Sequence, residues 1–352
     1  MKQMPCFVFY ALFLTLGGKS AAQEKRALPN PYNSFASDLN TCLFNDWAGV
    51  LETPGACNEE GDVQLCYGRH NLNKALFAVC FNKLTRIPKF TANVYKKGGT
   101  EGEENMIGNQ ECYEDAWKIE SGSGFTPADQ ATNNDYDDER QKALLGADRF
   151  SGIENRFLGK GHLTPDGDFK KDGNCEKSFT YIYTNAAPQW QLFNAGNWAA
   201  LEGAIRSYTD RPTVPPVNTR TLYIFTGTGG GAAQYNGANI GRLNNKIEVP
   251  RYYWKAVCDP QAQQSIVFVA ENTPGITDPT AVNGCPLTYH KQGQTYNNKP
   301  QQRNMGVIQC SSVDDAKAAH PLFKLPTFNP AVCGPQNVRG NFLDQYLADK
   351  LK

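Results

Sequence analysis

Four side chains carry most of the chemistry that can be read in this chain: His162, Asn185, Asn194 and Glu202. His162 ends a Gly-Lys-Gly-His run at residues 159–162. Its reference pKa near neutrality suits a general base. Asn194 offers a neutral carbonyl oxygen, a hard ligand of the kind Mg²⁺ takes. Glu202 follows it at a spacing that, in one regular helix, is about 12 Å of rise and about 80° of rotation. Both side chains therefore cannot easily hold one ion directly. Glu202 leans back toward the helix start and can act on the ion through water, because Mg²⁺ keeps several waters. Such a set suits a one-metal hydrolase. Each member also has a plainer reading. A lone histidine is more often structural, and Asn194 could be only a helix N-cap. Glu202 could be only the i, i+4 partner of Arg206, and Asn185 could simply end a strand. The order of all four along the chain is what argues for a site.

The elements that would position them are legible. Residues 179–184 form a strand-like run rich in aromatic and β-branched side chains, stopped by Asn185 and Pro188. A helical pattern starts near Asn194. Trp198, Leu201, Ile205 and Tyr208 make one apolar stripe at helical spacing. The expected order is histidine on a turn, strand, Asn at the strand end, Asn at the helix start and Glu inside the helix.

These blocks resemble the DNA/RNA non-specific endonucleases of the ββα-metal (His-Me finger) class. The family pattern is Asp-Arg-Gly-His, Asn-x-x-Pro-Gln and Asn-x-Gly-x-Trp-x-x-Leu-Glu. Here it stands as Gly159-Lys160-Gly161-His162, Asn185-Ala186-Ala187-Pro188-Gln189 and Asn194-Ala195-Gly196-Asn197-Trp198-Ala199-Ala200-Leu201-Glu202. The resemblance implies that His162 is the base and Asn194 the direct metal ligand. Glu202 would act through water, and Asn185 would support His162 and the phosphate. The implied cofactor is Mg²⁺, with Mn²⁺ as a substitute. The implied partner is DNA, double-stranded RNA or both, cleaved to 5′-phosphate ends. The secreted arthropod members of gut and saliva are the most similar in kind. Lys160 stands where the family has Arg, and Gly159 where it has Asp. Lys keeps the charge without the bidentate fork. The family also uses an upstream Arg on the scissile phosphate, for which Arg149 is the candidate among Arg140, Arg149 and Arg156.

Composition sets the compartment. Residues 1–22 read as a secretory signal peptide, with Lys2 at its charged start, an apolar core at residues 6–16 and a small-residue end at Ser20-Ala21-Ala22. The apolar run is too short to span a bilayer. The expected mature protein is exported, with no membrane partner. Of 11 cysteines, Cys6 lies in the leader, which leaves an even number for disulfides. The 35 basic and 35 acidic residues cancel. A nucleic-acid enzyme of this composition must gather positive charge locally, in a groove.

The 352 residues allow one large domain or two modest ones. Residues 23–73 read as a Cys-containing N-terminal extension that caps the main domain. Residues 74–352 read as the nuclease domain. Strands are expected at 75–81, 91–95, 221–226, 252–257 and 265–270, and short helices at 139–145 and 344–351. Lys83, Arg86, Lys89, Lys96 and Lys97 could be a solvated face or line a groove. Asp166-Gly167-Asp168 lacks the spacing of an EF-hand and reads as a tight turn. The glycine run at 227–231 is neither a Walker loop nor a dinucleotide fingerprint, and reads as a flexible turn. The fold class is α+β: a mostly antiparallel central sheet flanked by helices, with a ββα-metal site. The alternative function is a secreted protein that binds nucleic acid on a nuclease fold with weak or no catalysis.

Overall fold

The computed structural model describes residues 33–47, 49–69, 74–96, 116–122, 124–147, 150–152, 155–169, 176–209, 220–235, 238–273 and 308–335, with the single positions 306 and 343. The leader at 1–22, Arg149 and the expected helix at 344–351 lie outside them.

The fold is mixed α+β with few helices. Seven strands form one antiparallel path in the order Ile308–Ser311, Gln264–Glu271, Pro250–Asp259, Thr221–Ala232, Ile87–Lys96, Lys74–Asn82 and Asp62–Arg69. The two-residue strand Gly334–Pro335 adds a parallel pairing beside Gln264–Glu271. The sheet begins inside the segment read as an extension, since Cys66 pairs with Ala78 across its edge.

Alternation splits the central strands between two cores. Leu222, Ile224, Tyr253 and Val257 face one cluster, which also takes Trp198, Leu201, Ile205 and Tyr208 from helix Ala199–Tyr208. That apolar stripe is fully buried, as its spacing implies. Phe90, Phe225 and Trp254 face the opposite cluster, closed by Leu39, Phe44 and Trp47. Trp47 packs edge-on against Tyr223 and Phe225 at 4.9 and 5.3 Å.

The glycine run is not a turn. The strand continues through it to Ala232. A Cβ on Gly227 would lie 2.2 Å from Trp254 Cζ2, and one on Gly229 would lie 2.6 Å from Phe323. Rings from neighbouring elements fill the space that side chains on those glycines would take.

Disulfides join Cys42 to Cys66, Cys57 to Cys80 and Cys258 to Cys333. Cys310 is also disulfide-bonded. The first two fasten the segment over the sheet edge. Losing a native disulfide costs about 2–5 kcal/mol in small secreted domains. Excess reductant is therefore expected to lower the thermal midpoint of the full chain. An unchanged midpoint with every thiol alkylated would reject a stabilising role for the bridges. No described helix is long and apolar enough to cross a membrane.

Candidate active site

A separate two-stranded antiparallel ladder carries the histidine. Strand Leu158–His162 pairs with Ala186–Trp190, with His162 opposite Ala186 and Lys160 opposite Pro188. Two links hold this ladder over the main sheet: Tyr253 donates its hydroxyl proton to Ala187 O at 2.9 Å, and the Thr164 hydroxyl bonds Thr91 at 2.8 Å. Gly159 and Gly161 let neighbouring side chains pack close, and Gly161 is the tighter, with Gln189 Cβ 2.7 Å from where its own Cβ would stand. A Cβ at Gly161 would meet Gln189 Oε1 at 2.2 Å, and one at Gly159 would meet Gln191 Oε1 at 2.3 Å.

Residues 179–184 do not form the expected strand. They hold the end of a helical turn, Glu176–Phe179, and the start of a 3₁₀ turn, Tyr183–Asn185; the strand begins at Ala186. Asn185 supplies the reason. It is fully buried, donates from Nδ2 to Thr164 O and Thr180 O, both at 2.9 Å, and accepts from Thr164 N–H at 3.0 Å. Side-chain bonds to nearby backbone compete with a ladder. Asn185 thus fastens the turn that follows His162. All of its bonds run to backbone, with no atom facing outward.

His162 is half-buried between two rings. Trp117 lies 4.7 Å away, tilted, and Tyr181 lies 4.8 Å away, edge-on. Nε2 is buried with no hydrogen-bond partner among the described residues, and Nδ1 is not among the buried, unpartnered atoms. Burial pushes the imidazole down to about 4, although the Asp166 carboxylate pulls it the other way. Lys160 Nζ sits 5.7 Å from the Trp117 ring centre and 5.6 Å from that of Tyr136. Burial lowers its pKa, and no described carboxylate pairs with it.

Asn194 and Glu202 are not on one regular helix. The turn Asn194–Trp198 is π-helical, and Gly196 leaves helical geometry at φ −95°, ψ −118°. Helix Ala199–Tyr208 begins only after that kink. The rise and rotation expected for a continuous helix therefore do not apply, because Gly196 breaks the ladder between the two residues. π-Turns are frequent at functional sites. Asn194 Nδ2 donates to Gln191 Oε1 at 3.3 Å, which leaves its carbonyl oxygen without a donor among the described residues. Glu202 is half-buried and accepts no described hydrogen bond. Burial pushes its carboxyl up to about 7, against the pull of Lys255 and Arg206. An amide oxygen and a carboxylate, neither accepting a hydrogen bond from a described residue, are oxygen donors of the kind a hard divalent cation takes.

Arg206 pairs with Asp168 at 3.2 Å rather than with Glu202, although its charge still acts on Glu202. Asp168 also accepts from Asn93 Nδ2 at 3.0 Å. Lys255 rises from the sheet floor beneath, 1% exposed, with Nζ on the Thr226 hydroxyl and 5.6 Å from the Trp198 ring. Sequence reasoning missed Asp168, Lys255 and the two rings on His162. Lys255 had a signal, since it is a cation set between Tyr253 and Val257 on a core-facing strand. Of the five cations flanking the first strands, three are spent on structure, Lys96 is exposed and Lys97 lies outside the described residues. Lys89 pairs with Glu59 and Asp62, Arg86 donates to Ala128 O and Lys246 O, and Lys83 donates to Gly124 O. Arg140 and Arg156 are exposed.

Residues 64–312, which include this whole site, match the family model for DNA/RNA non-specific endonucleases. The chain belongs to that family. Its members are metal-dependent phosphodiester hydrolases. A "Salivary endonuclease" of Lutzomyia longipalpis is 36% identical over 132 residues, 34% of this chain and 28% of that protein. A "Salivary endonuclease" of Culex quinquefasciatus is 31% identical over 175 residues, 47% of this chain and 44% of that protein. The chain thus spans less than half the length of either relative. A crystal structure of the EndoG/EndoGI complex aligns with TM-score 0.37 and 18% identity, over 58% of this chain and 74% of that one.

Proposed function

We propose that the chain is a secreted, Mg²⁺-dependent, sugar-non-specific endonuclease that cleaves DNA, RNA or both. The observation that carries this reading is the ring of His162, held against Trp117 and Tyr181 with Nε2 buried, on the strand that also carries Lys160 over Trp117. A neutral imidazole with its proton on Nε2 has a lone pair on Nδ1. It takes a proton from a water there, and that water attacks phosphorus in line. The P–O3′ bond breaks, leaving a 5′-phosphate and a 3′-hydroxyl that takes its proton from solvent. Lys160 meets the non-bridging oxygens, where negative charge gathers in the transition state. Asn194 would hold the cation directly and Glu202 through water. When bound, that ion supplies Lewis-acid stabilisation of the phosphate and leaving-oxygen charge. Asn185 keeps the His162 turn in place. The leader and the disulfides support export, and salivary relatives support the same compartment. Arg149 keeps its place as the candidate phosphate clamp.

The test is nicking of supercoiled plasmid by the full chain. Mg²⁺ is expected to give open-circular and then linear DNA, and EDTA to stop both. Retarded but uncut plasmid with Mg²⁺ present would instead establish the nucleic-acid-binding alternative.

A further inference from the structure

We propose that Trp117 and Tyr181 are positioning residues for His162: two aromatic rings that seal its Nε2 side, hold the imidazole and keep Nδ1 outward as a neutral acceptor. The proposal rests on reading His162 as the base.

The rings come from two segments that are fastened together. Lys118 N–H donates to Tyr181 O at 2.9 Å, and Tyr183 N–H donates to Lys118 O at 3.1 Å. Trp117 also packs on Tyr181 and Tyr183, at 5.6 and 5.4 Å between ring centres. Tyr181 is tethered at its far end, where its hydroxyl donates to Asp166 Oδ2 at 2.9 Å. The Trp117 segment has its own anchor. The Glu120 carboxylate accepts from Ser34 N–H at 2.9 Å, Tyr67 O–H at 2.7 Å and Gly122 N–H at 2.6 Å. The clamp is therefore fastened on both sides of the imidazole.

Its chemical effect follows from the donor count. An imidazolium has two N–H donors, and a neutral ring has one. Protonating this ring leaves a charged, buried N–H on Nε2 with no acceptor among the described residues. Three charged or titratable groups face the ring from other elements. Asp166, from the turn Asp166–Asp168, favours the cation. Lys177, from Glu176–Phe179, opposes it. Tyr181 lends its ring, with its hydroxyl turned to Asp166. Lys160 lies on the same strand as His162 and packs on Trp117 as well. A carboxylate near a histidine usually raises its pKa. Here the loss of solvent outweighs Asp166, and the balance is downward. The base then stays in working form well into mildly acidic solution.

The experiment follows the imidazole Cε1–H signals of the full chain by NMR against pH, beside the pH profile of kcat/KM. The chain has four histidines, and the His162 signal is the one lost in His162→Gln. In Trp117→Ala the His162 midpoint is expected to rise by at least about one pH unit toward the ordinary histidine value. The acid limb of kcat/KM should move with it. Trp117→Phe, which restores a ring, should bring both back. A midpoint that stays in place in Trp117→Ala overturns the proposal. If that variant does not fold, Trp117→Leu is judged by the same criterion. The titration needs no turnover, so it decides the clamp even if plasmid is not cut. An acid limb that ignores the His162 midpoint would instead remove His162 as the base and leave the clamp standing.

Discussion

His162→Ala is expected to lose about 10²–10⁴-fold in kcat, the usual cost of removing a general base, while plasmid binding and the unfolding midpoint stay close to wild type. The reasoning is geometric. His162 touches the fold through its two flanking rings and makes no described hydrogen bond. Truncating it removes the Nδ1 acceptor without orphaning a partner. Small bases such as imidazole added to the buffer should restore part of the rate, because the space between Trp117 and Tyr181 is left open. Full activity in His162→Ala would sink the mechanism, and loss of binding together with turnover would point to misfolding.

Asn185→Ala is expected to act in the opposite way, through stability first. Its amide satisfies three buried backbone groups: Thr164 N–H, Thr164 O and Thr180 O. Leaving a buried polar group unsatisfied costs roughly 1–3 kcal/mol, and three are exposed to that loss together. A urea-unfolding series should show a fall in stability of at least about 2 kcal/mol. Activity should fall as well, since the bonds hold the turn that follows His162. Asn185→Asp should not rescue it, because a carboxylate cannot donate to Thr164 O and Thr180 O. A variant with wild-type stability and no cleavage would make Asn185 a phosphate contact after all.

The sequence disclosed those parts of the site that depend on local spacing. The Trp198, Leu201, Ile205 and Tyr208 stripe told which face of the helix is buried, and it is buried. Strands expected at 75–81, 91–95, 252–257 and 265–270 from their apolar, β-branched and aromatic runs stand at 74–82, 87–96, 250–259 and 264–271. What failed to show was set by contacts between distant residues. Residues 179–184 have strand composition, yet Asn185 and Lys118 claim their backbone. Gly196 breaks a helix whose pattern reads as continuous. Trp117 lies far from His162 in sequence, and nothing local marks it as a neighbour. Asp168 looked like a turn residue because its partners, Asn93 and Arg206, come from a strand and a helix on either side of it.

Gly227 and Gly229 tie the drift of this sequence to their neighbours. The room beside each is taken by a ring, Trp254 in one case and Phe323 in the other. Enlarging either glycine by itself drives a side chain into that ring. Shrinking the ring by itself leaves a void behind the sheet. Gly229 and its ring therefore form one unit, able to change together more easily than singly, whereas Gly227 also faces the Lys89 backbone oxygen at 2.5 Å and stays small whatever ring lies beside it. Gly231 has nothing within 4 Å and is constrained only by its backbone, at φ +74°. Within one run of glycines, some positions are bound to a distant aromatic and one answers only to its own torsion angle.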